Sequence, residues 1–180
     1  KDNFIKNLLL DNLLLVDIYN RAKKLHIETE VKRVVFIIET NRDKDGNELE
    51  KIRGLFGGKS KDFVTAVDEK NIIVVKELEP ADGHAELEKA AQNMYNLLKD
   101  DVQEDILIAY GTIVSDIKEV SKSYKEAKLA LDVGNIFYSD KADEILEGAF
   151  DIKFNQGTYL QDVISRKQQI LPKIMLEMEK

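Results

Sequence analysis

Residues 34–38, Val34-Val35-Phe36-Ile37-Ile38, place five consecutive β-branched or aromatic residues in a row. In a strand, side chains alternate between faces, so an unbroken apolar run is stable only where both faces are covered. The chain must therefore build a sheet around the strand Val31 to Glu39, with material packed on it, and the remaining segments show what is available. Asn47 to Phe56 reads as a short helix, with Leu49, Ile52 and Phe56 at steps of three and four and Gly57-Gly58 as its stop. Phe63 to Val67 and Ile72 to Val75 are short apolar runs joined by the polar turn Asp68 to Asn71, which predicts a hairpin. A helix over 84–99 follows, carrying Leu87, Ala90, Ala91, Met94, Leu97 and Leu98 on one face. Residues 104–110 give a further strand. A helix then starts near Asp116, with Ile117, Val120, Tyr124, Ala127 and Leu131 as its apolar stripe and Gly134 as its end; Asn135 to Tyr138 would add an edge strand. The order is βαββαβ, an α+β sandwich of an antiparallel sheet with helices on one face.

The ends of the chain add helices. Residues 3–25 read as one helix with two apolar faces: Phe4, Leu8, Leu15, Ile18, Ala22 and Leu25 on the first, and Ile5, Leu9, Val16 and Tyr19 on the second. A helix apolar on two sides needs cover on two sides. Leu9, Val16 and Tyr19 are accordingly candidates for contact with a second copy in a two-fold homodimer. Residues 141–149 and 159–178 are expected to be helical, the latter kinked at Pro172. The organisation expected is a linker or dimerisation helix over 1–30, a domain over 31–140 and a helical extension over 141–180. Because residue 1 is Lys, the chain is expected to be a piece of a longer protein.

Composition narrows the chemistry. The net charge of -7 disfavours non-specific nucleic-acid binding, which depends on phosphate neutralisation by Lys and Arg. The chain has no cysteine, which removes disulfides, thiolate zinc sites and cysteine nucleophiles and suits a cytoplasmic location. No apolar run approaches the length of a membrane span.

Several motifs invite a functional reading and then fail its requirements. Asn41, Asp43, Asp45 and Gly46 match the opening of a calcium loop, but Glu48 stands where an apolar residue is needed and Ile52 where a bidentate Glu is needed. Residues 54–60, GLFGGKS, imitate a phosphate-binding loop through Gly58, Lys59 and Ser60, yet a helix precedes them and a strand follows, the reverse of what that loop requires. His26 and His84 are far apart in sequence, and the His84–Glu88 spacing is not that of a zinc-binding helix. Lys118, Lys122, Lys125 and Lys128 form a stripe that reads as a solvated face, given the interleaved Glu119 and Glu126. The strand-to-helix junction at Gly111 could cradle a phosphate at a helix start; as read here, it turns a corner and closes the sheet.

Two stretches carry a family resemblance. ILIAYGTI with the helix SYKEAKLALDVGNIF, and KNLLLDNLLLVDIYNRAKKLHI followed by VKRVVFIIET, resemble the GGDEF-like domain of bacterial transcription regulators of the CdaR and PucR type, those for sugar diacids and purine catabolism. The resemblance spans residues 3–140. It implies a ferredoxin-like sandwich similar to the palm of diguanylate cyclases. It also implies a role as a regulatory and dimerising domain between an upstream sensor and a downstream helix-turn-helix, neither contained in this chain. An active cyclase carries a glycine pair and acidic residues at the hairpin turn and a metal-binding Asp at the end of the first strand. Here the turn positions are Asp68, Glu69, Lys70, Asn71 and Ile72, and the strand ends Glu39-Thr40-Asn41. Two-metal phosphoryl transfer needs acidic ligands from both places and close backbone approach to the triphosphate. The expectation is therefore a domain that is not an enzyme, with no catalytic residues, no metal and no cofactor. DNA would be reached only through the absent helix-turn-helix. The rival readings are a sensor with a small-molecule pocket between sheet and helices, and a cyclase-like enzyme.

Overall fold

The structure, a computed structural model, describes residues 1–40, 47–56, 61–98 and 106–137. Four strands form one antiparallel sheet: β1 (Arg33–Thr40), β2 (Phe63–Ala66), β3 (Asn71–Glu77) and β4 (Ile106–Tyr110), in the order β2-β3-β1-β4. The long apolar run of β1 occupies a central position, where its backbone bonds on both edges: Phe36 pairs with Val74 on one side and with Tyr110 on the other. The calcium-like loop at 41–46, the Gly-Gly-Lys-Ser segment at 57–60 and the two C-terminal helices expected over 141–149 and 159–178 lie outside the described residues.

Helices cover both faces of the sheet, which corrects the expectation of helices on one face. On one face, α3 (Glu48–Phe56) and α4 (His84–Leu98) bury Ile52, Leu87, Ala91, Met94 and Leu98 against Val34, Phe36, Ile38, Ile72, Val74 and Tyr110. On the other, α1 (Asp2–Leu9), α2 (Leu15–Lys24) and α5 (Val120–Phe137) cover Val35, Ile37, Ile73, Val75, Leu107 and Ala109. The alternating side chains of β1 thus enter two separate cores, as a continuous apolar strand requires.

The segment expected to be one helix over 3–25 is two. Helix α1 stops at Leu9; Asp11 then adopts a left-handed conformation (φ 58°) and Leu14, extended, begins α2. Aspartate tolerates this conformation better than most residues, so the chain turns without glycine or proline. The break lets each helix turn its own apolar face toward the same core: Phe4, Ile5, Leu8 and Leu9 from α1, and Ile18 and Ala22 from α2. Leu15 and Val16, one from each expected face, stay exposed.

At its other end α5 runs through Gly134 to Phe137, so that glycine does not end the helix and the edge strand expected from Asn135 does not form. Gly134 is buried, facing away from solvent. The helix is preceded by a short 3₁₀ turn, Ile117–Glu119, capped by Asp116, whose Oδ1 accepts the Lys118 N–H at 3.0 Å. The same oxygen accepts the Tyr19 hydroxyl at 2.7 Å, tying α2 to the start of α5. That bond and the carboxylate's charge push the Tyr19 phenol up to about 12.

Where β4 ends, a bulge interrupts the ladder. Phe36 pairs with Tyr110 and Arg33 with Val114, so the β4 side carries one residue more over the same span. The Gly111 N–H still reaches the Val35 carbonyl at 3.0 Å, but the Val35 N–H faces no strand carbonyl. It donates instead to Ser123 Oγ of α5 at 3.0 Å, and that hydroxyl donates to the Thr112 carbonyl at 2.8 Å. Ser123 is fully buried. Ser123→Ala is expected to cost about 2–4 kcal/mol, since it strands one buried N–H and one carbonyl. Amide exchange at Val35, together with a denaturant titration, checks it.

Candidate functional site

The β2–β3 turn and the end of β1 meet at one end of the sheet. In the antiparallel register Glu39 faces Asn71, and the Thr40 N–H donates to the Lys70 carbonyl at 3.1 Å. Glu39, Asp68 and Asn71, drawn from positions remote in sequence, are thereby brought together. Glu69 and Lys70 are exposed, and Ile72 is fully buried in the core beneath α3 and α4.

Asp68 organises the turn. Its Oδ1 accepts the backbone N–H of Lys70 and that of Asn71, both at 2.8 Å, and its Oδ2 accepts the Asn71 side-chain amide at 2.9 Å. This is a side chain satisfying the turn's own backbone donors. Partial burial opposes ionisation of Asp68. The hydrogen bonds from the Asn71 side chain and the two turn amides, with the nearby Lys128 charge, outweigh it and hold the carboxyl below its ordinary value. A group of this kind stabilises the fold above its unfolded pKa, and the contribution is lost as pH falls through the lower folded value. Asp68→Asn is expected to flatten the fall in melting temperature between roughly pH 5 and pH 3, measured against the unmodified chain.

Helix α5 completes this end of the sheet. Asn135 Nδ2 donates to Glu39 Oε2 at 3.1 Å. Tyr124, on the same helix, has its phenol pushed up by burial and by the charges of Asp68 and Asp132. Asn135, Tyr124 and Lys128 were not among the residues expected here. In sequence Tyr124 belongs to the apolar stripe of α5 and Lys128 to its lysine stripe, and neither spacing says what these residues meet.

The arrangement has consequences for chemistry. A turn that approaches a phosphate must offer free backbone N–H groups to it. Here the two turn amides are occupied by Asp68, and the side chains of Glu69 and Lys70 stand where a glycine pair would leave the backbone open. Among the described residues, no three His, Cys, Asp or Glu side chains are grouped to hold a metal ion.

Of the remaining motifs, His84 and Lys125 have side-chain partners. His84 Nε2 lies 3.3 Å from Glu88 Oε1 and 3.4 Å from the Tyr110 hydroxyl, at the start of α4. His26 follows α2 in a left-handed conformation (φ 56°). Lys118, Lys122, Lys125 and Lys128 are all exposed, and Lys125 Nζ reaches Asp11 Oδ2 at 3.1 Å. Of the three residues expected to meet a second copy, Leu9 is fully buried inside the chain, whereas Val16 is exposed and Tyr19 is half-buried with its hydroxyl on Asp116. Among the described residues no helix is long and apolar enough to cross a membrane.

A second feature lies on the opposite face of the sheet. A cleft of about 420 Å³ opens between α3, β3 and α4, lined by residues that include Phe56, Asp62, Lys76, Glu86 and Lys89. Lys76 Nζ stands 5.7 Å from the centre of the Phe56 ring and 3.9 Å from Asp62 Oδ2, while Asp62 Oδ1 accepts the Glu77 N–H at 2.8 Å.

Comparison with known families gives one match, to a family described as a GGDEF-like domain, over residues 12–133. That range takes in every described strand, α2 to α4 and most of α5. No curated protein matches the chain.

Proposed function

This chain belongs to the GGDEF-like domain family, and from that premise we propose that it is a non-catalytic regulatory domain of a CdaR/PucR-like transcription regulator. In this reading it couples an upstream sensor to a downstream helix-turn-helix and does no chemistry of its own. The observation that carries the proposal is the self-satisfied hairpin turn, in which Asp68 occupies the backbone N–H groups of Lys70 and Asn71. A cyclase needs that backbone for its nucleotide and needs acidic metal ligands beside it. Glu39, the acid at the end of β1, instead accepts a hydrogen bond from Asn135. The strand order β2-β3-β1-β4, with α3 and α4 on one face, supports the palm-like sandwich that the sequence resembles.

The test is direct. Purified chain incubated with GTP or ATP and magnesium or manganese is expected to release no cyclic dinucleotide and no pyrophosphate above a heat-killed control. Turnover above that control rejects the reading.

The cleft beside Lys76 and Phe56 favours a second reading, a sensor of small molecules. Thermal melts with nucleotides, sugar acids and purines separate the two, because a ligand bound only by the folded state raises the melting temperature.

A further inference from the structure

The bend between α1 and α2 is held by packing more than by local sequence. Residues 1–30 contain neither glycine nor proline. Helix α1 closes with the Asp11 N–H on the Leu8 carbonyl (3.3 Å) and the Asn12 N–H on the Asn7 carbonyl (3.0 Å). Glycine ordinarily fills the left-handed position of such a turn; here Asp11 fills it at φ 58°. Helix α2 then starts at Leu14, whose side chain makes no capping hydrogen bond, where Ser, Thr, Asp or Asn is preferred. Between the helices, Leu10, Leu13 and Leu14 are good helix formers. A segment with helical preference is thus folded into a turn, and short strained hinges of this kind invite exchange of the element they carry. The Asp11–Lys125 ion pair beside the bend is exposed on both sides and holds it weakly. The two helices also have separate supports. Helix α1 packs on β2 and α5, with Phe4, Ile5, Leu8 and Leu9 in the core and Asp2 Oδ1 accepting the Thr65 hydroxyl at 2.7 Å. Helix α2 packs on the 3₁₀ turn before α5.

We propose that α1 is an exchangeable element: Asp2–Lys24 straightens into one helix, and α1 of each of two copies occupies the groove on β2 and α5 of the other, giving a two-fold swapped dimer. At about 1.5 Å per residue, the straight helix places Asp2 roughly 20 Å beyond Leu15, which takes α1 out of its own groove. The occupant of that groove is selected by identity. The contacts between copies are those the single chain already makes, Asp2 with Thr65 included, so complementarity needs no new surface. The gain is continuous helix through residues 10–14 and release of Asp11 from the left-handed region.

The chain has no cysteine, so introduced cysteines report the exchange cleanly. Asp2→Cys and Thr65→Cys are placed in separate copies of the full chain, which are unfolded together in urea, refolded at high concentration and oxidised. A disulfide joining the two different chains is expected in non-reducing electrophoresis, and none when either variant is refolded alone. Hinge variants set the equilibrium. Asp11→Ala with Asn12→Ala favours helix and disfavours the left-handed turn; it is expected to raise the dimer association constant roughly tenfold or more in sedimentation. Asp11→Gly with Asn12→Gly favours the turn and is expected to lower it by a similar factor. Asp11 and Asn12 are exposed, so circular dichroism should show a folded chain in both. Three results overturn the proposal. One is a chain that stays monomeric in the alanine hinge variant at the highest concentration reached. Another is equal dimerisation of the alanine and glycine hinge variants. The third is a dimer in which the two single-cysteine chains fail to join, although the same two cysteines join when both are placed in one chain; the interface then lies elsewhere and α1 stays on its own domain.

Discussion

Leu9→Asp is expected to unfold the chain or to remove on the order of 4–5 kcal/mol of its stability, whereas Val16→Asp should change it by less than about 0.5 kcal/mol. The two residues were grouped by helical spacing, but their surroundings differ completely. Leu9 is 0% exposed, packed in the core with Leu8, Ile5 and Phe4 of its own helix against α5 and the sheet. An aspartate there would be a charge without a partner in an apolar setting, and either the carboxyl is neutralised or the helix leaves the core. Val16 is 62% exposed on the outer side of α2. A domain has only about 5–15 kcal/mol of stability in total, so the first substitution consumes a large part of it. Circular dichroism and urea titration of the two single variants check both. Near-native stability of Leu9→Asp would mean that α1 is not part of the core.

The two variants also show where sequence reasoning succeeds and where it stops. The run Val34 to Ile38 announced a strand buried on both faces, and it is one. The hairpin, the α4 face and the apolar stripe of α5 follow from local periodicity, and the structure contains them. The α1–α2 break was hidden because Leu8, Leu15 and Ile18 keep helical spacing across it. Its turn is made by Asp11, a residue common in helices and turns alike, with no glycine or proline to announce it. Gly134 misled in the opposite direction: a glycine near a helix end reads as a stop, and here the helix continues through it. The candidate site was half legible. Asp68 and Glu39 could be named from the resemblance, but the use of the turn amides by Asp68 depends on side-chain geometry that no spacing encodes. Ser123 left one faint mark, a small polar residue beside Val120, Tyr124 and Ala127 on an apolar stripe; its role in closing the bulge appears only once β1 and α5 are side by side.

Gly111→Ala is expected to destabilise the chain by at least about 3 kcal/mol, a fall in melting temperature of roughly 6–12 °C. A Cβ added at Gly111 would stand 1.9 Å from the Ser123 carbonyl oxygen and 2.7 Å from both its carbonyl carbon and its Oγ. Two of those atoms are backbone in the first full turn of α5, so no flexible side chain can swing aside. The helix itself must retreat. Retreat is costly because Ser123 Oγ supplies the acceptor for the Val35 N–H, and the Thr112 N–H is held at 3.0 Å by Glu126 Oε2 one turn farther on. The glycine is therefore required by close approach of a helix to a strand end, and the space a phosphate would need at this junction is filled by α5 itself. Gly54→Ala provides the control, since Gly54 lies inside α3 and an added Cβ there meets nothing within 4 Å. That substitution should stabilise the chain by about 0.4–1 kcal/mol through helix propensity and a less flexible unfolded state. Opposite signs for the two glycine-to-alanine changes, in one set of urea titrations, are the result expected. A Gly111→Ala variant within about 1 kcal/mol of the unmodified chain would show that α5 stands off from the strand, and would reopen the junction as a place for a ligand to bind.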